Sequence, residues 1–89
     1  MDGKKAEIEF PHLWEYRVFS SAAGIDEVEK NIRRAVEEMK LSGMELERGA
    51  VSGNGSYRAL RLAVTVGSKD EANALGERIR KLDGVRFIL

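Results

Sequence analysis

The feature that most constrains this chain is a hydrophobic period that switches in a fixed order: two, three-to-four, two, two, three-to-four, two. Tyr57 to Val66 is the clearest stretch, with Leu60, Leu62, Val64 and Val66 on one face and Ala59, Arg61, Ala63 and Thr65 on the other. Alternation of this kind marks a strand with one buried face. Leu13 to Ser20 alternates too; its β-branched and aromatic content suits a strand, with Trp14, Tyr16 and Val18 toward the core and Glu15, Arg17 and Phe19 away from it. Between them Ile25, Val28, Ile32, Ala35, Val36 and Met39 recur at helical steps. On the other side of this helix Asp26–Lys30, Glu29–Arg33 and Arg34–Glu38 stand four apart and are expected to pair. Ser42-Gly43 is expected to end it, with glycine as the left-handed cap.

Met44 to Ser52 is a weaker strand, charged on the side of Glu45 and Glu47 and interrupted by Gly49, as an edge strand with a bulge would be. Asn54-Gly55 suits a tight hairpin with two positive backbone angles. Ser68 and Glu71 have capping-box spacing ahead of a second helix whose stripe is Ala72, Leu75, Ile79 and Leu82. Asp83-Gly84 breaks it. A last strand follows, with Val85, Phe87 and Leu89 on one side and Arg86 and Ile88 on the other.

The order β-α-β-β-α-β implies a ferredoxin-like α+β sandwich: a four-stranded antiparallel sheet with both helices on one face. Right-handed crossovers put the strands in the order 4-1-3-2, so the two best-patterned strands become central. Residues 10–89 form the expected domain and residues 1–9 an expected flexible segment.

Composition narrows function. Eighty-nine residues carry 15 basic and 15 acidic side chains, so the basic field of a general nucleic-acid binder is absent. Without cysteine there is no thiolate ligand or thiol nucleophile, and one histidine does not make a metal site; no cofactor is expected. No apolar run approaches ~20 residues and no signal-peptide core opens the chain, so no membrane association and a cytoplasmic location are expected. His12 has no acid or nucleophile at readable spacing, and Glu45 with Glu47 reads as a solvated sheet edge; the chain is expected not to be an enzyme. Gly53 and Gly55 lead into a strand rather than a helix and lack the lysine of a phosphate loop.

Two regions remain. Ser21-Ala22-Ala23-Gly24 joins the first strand to the first helix, where exposed amides suit an anion such as an amino-acid carboxylate; Ser21, Ala23 and Gly24 are the candidate ligand-binding residues, and a plain connector is the alternative. The sheet face away from the helices is the second region, with Arg17, Phe19, Arg61 and Ile88 as candidate partner-binding residues. It lacks the basic-glycine-aromatic signature of RNA-recognition domains, and its mixed charges suit cross-strand pairing.

Phe10-Pro11, Tyr16-Arg17-Val18, Ser52 to Tyr57 and the ending Leu82 to Leu89 resemble the YbeD-like family of small bacterial proteins, over about Phe10 to Leu89. That family is similar in fold to the ACT regulatory domains and has no established activity. ACT domains bind small effectors near the loop that corresponds to Gly24 and at interfaces between paired domains. The resemblance therefore implies a non-catalytic regulatory module that binds a small ligand or a protein partner. The alternative is an interaction or self-association module with no small ligand.

Overall fold

The structure, a computed structural model, describes residues 9–89; apart from Glu9, the expected flexible segment lies outside the described residues. Six elements follow in order: β1 (His12–Ser21), α1 (Ile25–Glu38), β2 (Ser42–Val51), β3 (Tyr57–Val66), α2 (Lys69–Arg80) and β4 (Val85–Ile88). The strands form one antiparallel sheet ordered β2-β3-β1-β4, which is the expected ferredoxin-like topology read from the opposite edge.

The core lies between the helices and one sheet face. Val18, Val28, Ile32, Leu60, Leu62, Val64, Val66, Leu75 and Ile79 are wholly buried in one cluster, which is what the two periodicities require when they meet. Tyr16 is buried with them, and its phenol donates to the Ala72 carbonyl at 2.5 Å, tying the central strand to α2. Burial pushes that phenol up to about 12. Ser68 caps α2 by accepting from the Glu71 amide, while Glu71 reaches back one residue further than expected, to the Gly67 amide.

Four local expectations are corrected. First, α1 is capped at Met39 and stopped by Lys40, not by Gly43. Lys40 takes a left-handed φ of 59°, its amide donates to the Glu37 carbonyl and the Leu41 amide donates to the Val36 carbonyl. This is the Schellman pattern with a lysine where glycine is usual. A left-handed L-residue is strained by about 1–2 kcal/mol. Lys40→Gly is therefore expected to stabilise the protein by about 1 kcal/mol and to raise Tm by about 4–8 °C. A thermal melt with Tm unchanged or lowered would contradict the left-handed assignment.

Second, the hairpin between β2 and β3 has one positive angle, at Gly55 (φ 79°), not two. The turn is held by the Gly55 amide on the Ser52 carbonyl and by the Asn54 side chain, which accepts from the Ser56 amide and the Ser52 hydroxyl. Asn54 thus acts through its side chain.

Third, α1's carboxylates look outward from the helix for partners. Asp26 and Glu29 both bind Arg48 on β2, at 2.6 and 2.8 Å, and Glu38 binds Arg78 on α2. Arg48 holds the Glu29 carboxyl below its ordinary range. A guanidinium fork reaches two carboxylates at once, which a neighbour on the same helix cannot offer as well. The edge strand is thereby tied to α1.

Fourth, β4 does not alternate. Ser20 pairs with Val85 and Phe19 with Phe87, so Arg86 is an extra residue, a bulge. One extra residue reverses the facing of all that follow. Phe87 stands on the open face beside Phe19, and Ile88, paired with Val18, packs against the core.

Candidate functional site

The Ser21–Gly24 loop is built from internal bonds. The Ser21 amide donates to the Gly84 carbonyl at 2.8 Å and the Ala22 amide to the Ser56 carbonyl at 2.9 Å. The Gly24 amide donates to the Ser21 carbonyl and to its hydroxyl, each at 3.2 Å. A Cβ at Gly24 would come within 2.8 Å of that hydroxyl, so a larger residue there would displace the Ser21 side chain from this bond. Three of the four loop amides are thus already bonded. The first turn of α1 also carries Asp26 and Glu27, which answer the positive end of the helix dipole. Of the candidate ligand-binding residues, Ala23 is exposed, and Ser21 and Gly24 are half-buried and bonded to each other.

The open sheet face divides into two halves. At the centre of the first, Arg61 on β3 reaches Glu15 on β1 at 2.7 Å, Glu47 at 3.5 Å and Glu45 at 3.7 Å, the last two on β2. These are the cross-strand pairs expected of alternating charge, and they hold the Arg61 guanidinium further toward its charged form. Being exposed, they contribute little stability; their effect is to fix the orientation of Arg61.

The second half is aromatic. Phe19 and Phe87 stack with ring centroids 4.5 Å apart. Tyr57 meets Phe87 edge-on at 6.5 Å, and the Arg86 guanidinium lies 5.7 Å from the Tyr57 ring centre. Between these rings and the bulged end of β2 lies a groove of about 600 Å³, lined by Arg17, Phe19, Val51, Tyr57, Arg61 and Phe87 among others. Phe87 is 46% exposed and Val51 49%, large apolar side chains that the fold does not cover.

Three of the four candidate partner residues, Arg17, Phe19 and Arg61, therefore meet at one groove. Ile88 does not; the bulge turns it to the other face. Sequence reasoning missed Phe87, and nothing in Val85 to Leu89 marks the extra residue. Tyr57 was visible as an aromatic beside a turn, but its contact with Phe87 depends on the same bulge. His12, the residue most often recruited as a general base, sits edge-on to Phe10 and Trp14. Among the described residues no group of three or more His, Asp or Glu side chains could hold a metal ion. No helix among them is long and apolar enough to cross a membrane.

Fold and site together define a small ACT-like α+β sandwich with one sheet face uncovered and, among the described residues, nothing that points to catalysis. A family model described as a protein of unknown function, DUF493, matches residues 5–89. The chain belongs to that family, the YbeD family. It is similar to protein HP0495 of Helicobacter pylori, whose solution structure superposes with a TM-score of 0.83 at 26% identity, covering 99% of this chain and 91% of that one. A second solution structure of HP0495 gives 0.62 over 99% and 96%. The C-terminal domain of the MgtC protein of Mycobacterium tuberculosis shares the fold, with a TM-score of 0.64 at 16% identity over 94% and 89%. Comparison with curated proteins finds no match.

Proposed function

We propose that the protein is a non-catalytic regulatory module that acts by holding a protein partner against its open sheet face. The observation that carries this reading is the uncovered aromatic groove of Phe19, Phe87 and Tyr57. A small-molecule site usually encloses most of its ligand. This groove lies open along a sheet, a shape suited to an apolar anchor residue of another protein. Arg17 and Arg86 beside it supply hydrogen-bond donors for the rim of such a contact. A small effector at the Ser21–Gly24 loop is the weaker alternative, because three of that loop's four amides are bonded within the chain and acidic residues follow it.

The test is site-specific crosslinking in the native cell from a photoreactive side chain at position 87, with Glu27 on the exposed side of α1 as the control position. A defined protein adduct is expected from position 87 and not from position 27. Adding Phe19→Glu, a half-buried position that leaves the core intact, is expected to reduce the adduct about tenfold or more, since truncating a central aromatic anchor costs at least ~2 kcal/mol. Equal adducts from both positions, or an adduct insensitive to Phe19→Glu, would refute the groove as the contact.

A further inference from the structure

The sheet has a second unfinished place, an open backbone edge. β1 is ten residues long and β4 four. β3 pairs with β1 over its whole length, from His12 to Ser21. The β4 side is bonded only from Arg17 to Ser21, with Arg17 exchanging both backbone bonds with Leu89, at 3.1 and 2.8 Å. In an antiparallel ladder one residue's N–H and C=O point the same way, and alternate residues point oppositely. Leu13 and Glu15 therefore aim their backbone groups to the side that β4 leaves bare, where no strand lies among the described residues. Trp14 and Tyr16 aim theirs at β3.

On the bare side β1 borders a cleft of about 360 Å³ against α2, lined by Trp14, Tyr16, Ala72, Gly76, Glu77 and Ile88 among others. Gly76 is the informative residue. Glycine in the middle of a helix weakens it, yet a Cβ here would come no nearer than 3.4 Å to the Tyr16 ring, an ordinary contact. Internal packing does not require this glycine. Its missing side chain keeps the cleft open.

We infer that the open stretch of β1 accepts an extended segment of a partner protein as an added strand in line with β4, and that this segment alternates basic with small apolar side chains. Backbone bonds to Leu13 and Glu15 supply the pairing. Opposite residues in a ladder share a face, so the segment's residue across from Glu15 stands on the open face. Three carboxylates there, Glu15, Glu45 and Glu47, surround Arg61, and Arg17 opposite Arg61 is the second cation of this half, so acidic side chains outnumber basic ones by one and Glu15 is the carboxylate that directly faces the added segment. A lysine or arginine complements it. The residues on either side of it point into the cleft against Tyr16, Ala72 and Gly76, a stretch of the lining that suits small apolar side chains. The open strand edge and the cleft share no residue with the aromatic groove, which borders the charged half at Arg17, Arg61 and Glu47, and the inference does not rest on that reading.

The probe is an acetylated, amidated heptapeptide alternating lysine with alanine and valine, titrated into the isotope-labelled full chain; its counterpart carries glutamate for lysine. The amide signals of Leu13 and Glu15 are expected to shift and their hydrogen exchange to slow, while the amides of Trp14 and Tyr16, already bonded to β3, keep their protection. The glutamate peptide is expected to bind at least about tenfold more weakly. Gly76→Leu, which fills the cleft, is expected to abolish the shifts. Glu15→Lys, an exposed change that spares the core, is expected to weaken the lysine peptide by about tenfold. Shifts centred on Phe19 and Phe87, equal affinity for the two peptides, or no shift at millimolar peptide would overturn the inference.

Discussion

Leu62→Ala is expected to remove about 2–5 kcal/mol of stability. Leu62 is wholly buried. It sits in the central strand with Tyr16 opposite it on one side and Leu46 on the other, so the neighbours that could collapse into the gap are themselves fixed by two ladders. The cost therefore combines the lost transfer of the side chain with a cavity that stays open. A chain of this length has a total stability of about 4–13 kcal/mol. The variant should then unfold at a much lower urea concentration, and on the order of 10–30 °C lower in temperature. A urea midpoint within experimental error of the unsubstituted protein would place Leu62 outside the core and remove the basis for a one-sided sheet.

Tyr16→Phe is expected to have an effect that changes with pH. Near neutrality the substitution deletes the bond to the Ala72 carbonyl and should cost about 1 kcal/mol. The Tyr16 phenol titrates at about 12 in the folded protein, against about 10 in an unfolded chain. Its folded value is raised, so the stability it contributes is complete below pH ~10 and is lost as pH rises through about 12. The unfolded chain releases the proton first, and alkali therefore favours unfolding of the tyrosine form. Phenylalanine has no proton to release. Urea unfolding of both proteins at pH 7 and at pH 11.5 should show the tyrosine form ahead at the first and its advantage reduced or reversed at the second. All other groups are common to the two proteins and cancel in the difference. A difference that does not change with pH would show that the Tyr16 phenol is not buried.

The fold was legible because burial and period coincide in most elements. The stripe Ile25, Val28, Ile32, Ala35, Val36 is the buried face of α1, and Leu60, Leu62, Val64 and Val66 are the buried face of β3. These patterns are local, and each element repeats its own many times. What could not be read depends on one residue in one place. The bulge at Arg86 decides whether Phe87 or Ile88 faces water, and a single extra residue leaves no periodic trace in a strand of four. The left-handed Lys40 breaks the preference for glycine that placed the helix end at Gly43. The ion pairs of Asp26, Glu29 and Glu38 were assigned to their own helix because spacing along a chain is visible, whereas the approach of Arg48 and Arg78 depends on the assembled sandwich. The candidate site was partly legible for the same reason: Arg17, Phe19 and Arg61 lie on well-patterned strands, while the ring that completes the groove lies beyond the bulge.

The uncovered aromatic groove depends on which side of β4 meets water, and thiol reactivity measures that directly. The chain contains no cysteine, so Phe87→Cys and Ile88→Cys each introduce a single thiol. In the native protein the thiol at position 87 is expected to react with a disulfide reagent at close to the rate of an unfolded control, and the thiol at position 88 several-fold more slowly. Faster reaction at position 88 than at position 87 would put Phe87 in the core, leave Phe19 without its stacking partner and contradict the groove.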